Sequence, residues 1–106
     1  MPRMTHQISE RRREPRTPLT LECTLHRRKG APICCQTVDV GPGGMSVASD
    51  RPLAPDELLA FDLPAGSPPL TGSARVLRQQ AHRVYALRFE ALAEPVREGL
   101  ERLAAR

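Results

Sequence analysis

From Leu19 to His26 apolar and polar side chains alternate strictly, with Leu19, Leu21, Cys23 and Leu25 set against Thr20, Glu22, Thr24 and His26. A period of two marks a β-strand with one face in a core and the other in water, because successive strand side chains point to opposite sides. The rest of the chain is cut into runs of similar length. Arg28-Lys29-Gly30 reads as a turn, and a second strand is expected from Ile33 to Val40. Gly41-Pro42-Gly43-Gly44 breaks it, and a third short strand, Met45 to Ala48, follows. Two strands around a tight glycine-containing loop read as a hairpin. After the connector Pro52–Glu57, Leu59, Phe61 and Leu63 alternate with Ala60 and Asp62 in a fourth strand that Pro64 stops. Ala65-Gly66-Ser67-Pro68-Pro69 is a loop by composition. A fifth strand runs from Leu70 to Arg78, with a turn at Gln79-Gln80-Ala81-His82, and a sixth covers Val84 to Glu90.

Only the end of the chain has helical spacing. Pro95 suits the first helical position and Glu94 the positive end of the helix dipole. Val96, Leu100, Leu103 and Ala104 then recur on one side. Gly99 costs such a helix about 1 kcal/mol relative to alanine, so the helix is expected to depend on docking. The fold these runs predict is all-β: a six-stranded antiparallel β-barrel with a C-terminal α-helix over its open end. Eleven prolines and seven glycines in 106 residues agree with many short elements, and the length allows one domain. With no Trp, one Tyr and two Phe, the core has to be aliphatic. Residues 1–15 are polar and without periodicity, and are expected to stay mobile until a ligand arrives. Residues 1–10 read as a flexible N-terminal arm and residues 11–106 as the domain.

Charge is distributed unevenly. Residues 1–30 hold eight basic and three acidic side chains, a balance of +5, so against a total of +4 the other 76 residues sum to −1. Fifteen of the sixteen basic residues are Arg, whose planar fork grips phosphate bidentately and stacks on flat rings. No apolar run approaches the ~20 residues that span a bilayer, and the first residues lack the apolar middle of a signal peptide. A cytoplasmic location is therefore expected, with no membrane partner, and Cys23, Cys34 and Cys35 are expected to be reduced thiols. Zinc sites space their cysteines two to four apart, whereas adjacent cysteines on a strand face opposite ways. No metal site is expected, and buried small hydrophobes are the simpler role. His6, His26 and His82 are scattered, without a Cys or Ser partner at a catalytic spacing, so the chain does not read as an enzyme.

Two segments carry chemistry. Arg12-Arg13-Glu14-Pro15-Arg16 places two arginines four apart just before the first strand, where Pro15 rules against a helix. In a bent, extended loop they can approach a flat anion from two sides, because guanidinium forks suit both phosphate oxygens and the Hoogsteen edge of guanine. Asp39-Val40-Gly41-Pro42-Gly43-Gly44 ends the second strand. Its carboxylate can accept from a guanine edge or hold an arginine, and its glycines allow close backbone approach and positive φ. A hairpin turn with a capping Asp accounts for the same residues.

In this order the segments resemble the PilZ domain family. The likeness extends to Arg16-Thr17-Pro18-Leu19, Gly72-Ser73-Ala74-Arg75-Val76-Leu77, Tyr85-Ala86-Leu87-Arg88-Phe89 and the short terminal helix, over residues 9–105. The resemblance implies a six-stranded barrel that binds cyclic di-GMP without any cofactor, the arginine arm folding across the ligand and signalling to a partner protein that the sequence does not name. By that resemblance Arg12 and Arg16 grip phosphate and guanine, Asp39 meets a guanine edge or braces an arginine, Gly44 keeps the turn tight, and Arg11 and Arg13 flank the pair. One position departs from the pattern. Gly41 stands where the family usually has Ser, removing a hydroxyl worth about two- to tenfold in affinity. Water or the Gly41 amide are the expected substitutes, with Ser46 expected to lie too far along the strand. An alternative keeps the barrel and drops the nucleotide, leaving a protein-interaction module. Nucleic-acid binding through the basic arm is disfavoured, because such barrels stack bases on exposed aromatics and the three here read as core.

Overall fold

The structure is a computed structural model that describes residues 16–66 and 68–105. Its strands are β1 (Thr17–Pro18), β2 (Glu22–His26), β3 (Ile33–Val40), β4 (Gly44–Ser49), β5 (Leu58–Leu63), β6 (Leu70–Ala81) and β7 (Val84–Glu90), followed by one helix, α1 (Glu94–Ala104). All pairings are antiparallel. The strand order β3-β2-β5-β6-β7-β4 returns to β3 through a β3–β4 pairing, so six strands close into a barrel and β1 is a short addition along β3. The all-β barrel read from the sequence is the observed fold.

Alternation decides which side chains fill it. Cys23 and Leu25, Leu59, Phe61 and Leu63, Val47 and Met45, and Tyr85, Leu87 and Phe89 all point inward and are buried. Phe61 and Phe89 pack at a tilt, their ring centroids 5.1 Å apart. The aromatics are therefore core groups, as expected. Cys35 is buried and Cys34 exposed, the opposite facing that neighbours on one strand must have.

The first strand differs from expectation. Of the alternating run from Leu19 only Glu22–His26 is a strand (β2); β1 lies before the run at Thr17–Pro18, and Thr37 of β3 bridges the gap at residues 19–21. Its buried hydroxyl accepts a hydrogen bond from the Leu21 N–H at 2.9 Å and donates to the Leu19 carbonyl at 2.5 Å. A side chain thus replaces ladder bonds where the two strands lose register. Thr37→Val, which keeps the shape and removes the hydroxyl, is expected to cost about 1–2 kcal/mol, because it strands backbone groups away from water. Urea unfolding of the two proteins measures this, and coincident midpoints would refute it.

One further boundary moved. β6 runs on through Ala81, leaving only His82 and Arg83 in the turn, with Arg83 at φ 62°. Register shifts between Val76 and Arg78 and between Gln79 and Ala81 absorb the extra residues. In α1, Gly99 is buried, and a Cβ there would stand 2.6 Å from Leu70 Cδ2. The glycine that weakens the isolated helix is what lets it rest on β6, with Leu100 and Leu103 in the core. The Thr17 hydroxyl donates to the carbonyl of Ala104, tying the last turn of α1 to β1.

Candidate functional site

The site is assembled by register. β1 pairs Thr17 with Val40 and Pro18 with Asp39, which sets Arg16 beside the end of β3. Along β3 the residues Ile33, Cys35 and Thr37 face inward, and continued alternation would send Asp39 into the core. It does not, because the β3–β4 register shifts between Thr37 and Asp39. A bulge of this kind sets two residues opposite one, so Val38 and Asp39 both look outward and Val40 returns to the core. Asp39 then lies directly across from Ser46 of β4.

These side chains meet. Arg16 Nη1 donates to Asp39 Oδ1 at 3.2 Å and to Ser46 Oγ at 3.3 Å. The Ser46 N–H donates to the same Asp39 oxygen at 3.2 Å, and its hydroxyl donates to Gln80 Oε1 at 2.7 Å. The Arg16 and Asp39 side chains are 29% and 27% exposed, and a pair this wet adds only about 0–1 kcal/mol to stability. What the pair does is fix a guanidinium at the mouth of the β3–β4 hairpin. Both bonds use Nη1, and among the described residues no hydrogen bond goes to Nε or Nη2. A guanidinium carries five N–H donors, so the remaining edge can serve an outside acceptor.

Of the residues singled out in the sequence, Arg16, Asp39 and Gly44 are brought together. Arg11, Arg12 and Arg13, with the arm they belong to, lie outside the described residues. Gly44 is needed for closeness rather than for turn geometry. Its Cβ would fall 2.3 Å from the Leu87 carbonyl oxygen and 3.2 Å from Arg16 Nη2, whereas the positive-φ glycines are Gly30 and Gly66. Gly41 is buried and its N–H donates to the Gly44 carbonyl at 2.9 Å, so that amide is already engaged. Ser46, expected to lie out of reach, is inside the cluster. Gln80 was read as a turn residue and reaches the cluster across the sheet. In the sequence the apolar residues change parity within this strand, from Ile33 and Cys35 to Val38 and Val40, which does not say where a bulge falls. A groove of about 400 Å³, lined in part by Cys34, Gln36, Asp50 and Arg83, lies farther along the same strands and contains none of the cluster.

Residues 10–106 match the family model described as PilZ domain. Among solved structures, the Bacillus subtilis inhibitor of motility MotI/DgrA superposes with a TM-score of 0.77 at 19% identity, over 91% of this chain and 50% of that one. This chain therefore spans half the length of that structure. The PilZ domain of CeSA from a cellulose-synthesizing bacterium gives a TM-score of 0.68 at 17% identity, over 85% of this chain and 94% of that one. At such identities the likeness shows a common fold. No curated protein matches the sequence.

Proposed function

This chain belongs to the PilZ domain family, and from that premise we propose that it is a receptor for cyclic di-GMP that signals by ordering its N-terminal arginine arm. PilZ domains are binding and effector modules rather than enzymes. The observation that carries the reading is the meeting of Arg16, Asp39 and Ser46 beside Gly44, which is an arginine held by a carboxylate at a surface with no side chain to obstruct it. The ligand presents two phosphates and two guanines, all rich in acceptors, and the remaining donor edge of Arg16 suits them. Arg11, Arg12 and Arg13 close over the ligand from the other side. The hydroxyl lost at Gly41 is not replaced by Ser46, which is buried and whose hydroxyl is engaged by Arg16 and Gln80; Ser46 serves the site by holding Arg16 in place. An ordered arm creates a new surface for a partner protein.

The second reading, an interaction module without nucleotide, draws on Gly41 and on exposed aliphatics. Leu58 of β5 is 49% and Leu77 of β6 is 39% exposed, on adjacent strands. Among the described residues no helix is long and apolar enough to cross a membrane. Calorimetric titration with cyclic di-GMP separates the two readings. Saturable binding that Arg12→Ala weakens supports the receptor. A folded protein that takes up no nucleotide leaves the interaction module.

A further inference from the structure

We propose that Gln80, with its amide oxygen tied down by Ser46, presents a donor-only edge beside Arg16 that makes this site prefer guanine to adenine cyclic dinucleotides; the proposal rests on the receptor reading above. Asp39 pairs with Ser46, Ser46 with Ala86, and Ala86 with Arg78, so one row of outward positions crosses β3, β4, β7 and β6. Ser46 and Ala86 belong to that row, alternating with the core residues Met45, Val47, Tyr85 and Leu87, yet they are only 1% and 2% exposed. They must be covered from outside. Gln80 is a cover: it is the extra residue at the Gln79/Ala81 register shift, and its Oε1 reaches Ser46 Oγ at 2.7 Å although β7 lies between their strands. Its side chain therefore reaches over β7, on which the residue paired with Ser46 is the small Ala86.

The direction of the hydrogen bonds fixes which end of the amide is used. Arg16 can only donate, so Ser46 Oγ accepts from it at 3.3 Å. In the structure the hydroxyl proton goes to Gln80, which presents its oxygen at 2.7 Å. Gln80 is exposed, and among the described residues its amide nitrogen has no hydrogen-bond partner. Arg16 and Gln80 therefore both offer a ligand N–H groups, and the acceptor of the cluster is Asp39, whose Oδ1 already takes Arg16 and the Ser46 N–H. The Hoogsteen edge of guanine has two acceptors, N7 and O6, whereas that of adenine has one acceptor and an amino donor. A free glutamine is well suited to adenine, because it can accept from N6 while donating to N7. Locking the oxygen onto Ser46 removes that option.

The test is titration of cyclic di-GMP and cyclic di-AMP into the parent protein, Gln80→Ala, Gln80→Glu, Ser46→Ala and Arg16→Ala, with thermal unfolding as the check on folding. Gln80→Ala is expected to weaken cyclic di-GMP about three- to tenfold, the worth of one neutral hydrogen bond, and to leave cyclic di-AMP nearly unchanged. Gln80→Glu, which turns a donor edge into an acceptor, should lose more than Gln80→Ala. Ser46→Ala frees the amide oxygen and should narrow the preference between the two nucleotides. If Gln80→Ala keeps the parent's affinity and preference while Arg16→Ala loses binding, the role of Gln80 is overturned and the receptor stands. A parent protein that binds both nucleotides equally also overturns the proposal. One that binds neither removes the receptor reading and the proposal with it.

Discussion

Arg16→Ala is expected to weaken binding of cyclic di-GMP about 10- to 100-fold, the largest change any single side-chain truncation among the described residues should produce. A charge-assisted hydrogen bond is worth about 1.5–3 kcal/mol, and each 1.4 kcal/mol is tenfold in affinity. The substitution removes more than a contact to the ligand. It also leaves Asp39 with only the Ser46 N–H among its described partners, so a carboxylate would face the ligand's phosphates without the cation that now balances it. Stability should barely move, because the pair is partly exposed. Calorimetry and thermal unfolding on the same samples check both statements. Arg16→Lys adds a control: it keeps the charge and loses the planar fork, so its affinity should fall between the other two. A fold as stable as the parent's with undiminished affinity would show that Arg16 plays no part in binding.

Gly44→Ala should act on the barrel itself. The added methyl would stand 2.3 Å from the Leu87 carbonyl oxygen, a backbone atom of the neighbouring strand that cannot swing away. Relief requires β4 and β7 to separate where Gly44 pairs with Arg88. Overpacking of a rigid site costs about 1–3 kcal/mol, and this one belongs at the upper end. The same methyl would crowd Arg16 Nη2 at 3.2 Å, so binding should fall together with stability. Chemical denaturation gives the first quantity and titration the second. A midpoint equal to the parent's would mean that the strands can yield there at little cost.

The fold was legible because its signals are local. Alternation over Leu19–His26, Leu59–Leu63 and Val84–Glu90 specifies a buried face without reference to any other strand, and those faces line the core. The helix was equally plain, and only the meaning of Gly99 changed once Leu70 was seen beneath it. Arg16, Asp39 and Gly44 could be named because the order and spacing of the two segments that hold them resemble the PilZ family's. What remained hidden depends on pairing. Ser46 joins the cluster through a one-residue bulge in β3, which shifts the register just before Asp39 and sets that carboxylate opposite the serine. Gln80 joins it across an intervening strand, and reads as a turn residue until the β6–β7 hairpin is known to close at His82 and Arg83. No separation along the sequence, 34 residues between Ser46 and Gln80, reveals such a contact.

The barrel closes on its six strands without β1. Thr17 and Pro18 hold to β3 by two paired positions, with the Thr37 stitch on one side and the tie to the end of α1 on the other. A lip attached in this way can detach while the barrel stays shut, at a free energy below that of global unfolding. Its amides will trade protons with solvent sooner than those of β6 or β7. A nucleotide that engages Arg16 is then read out as slowed exchange at Thr17 and Leu19, long before any change reaches the core.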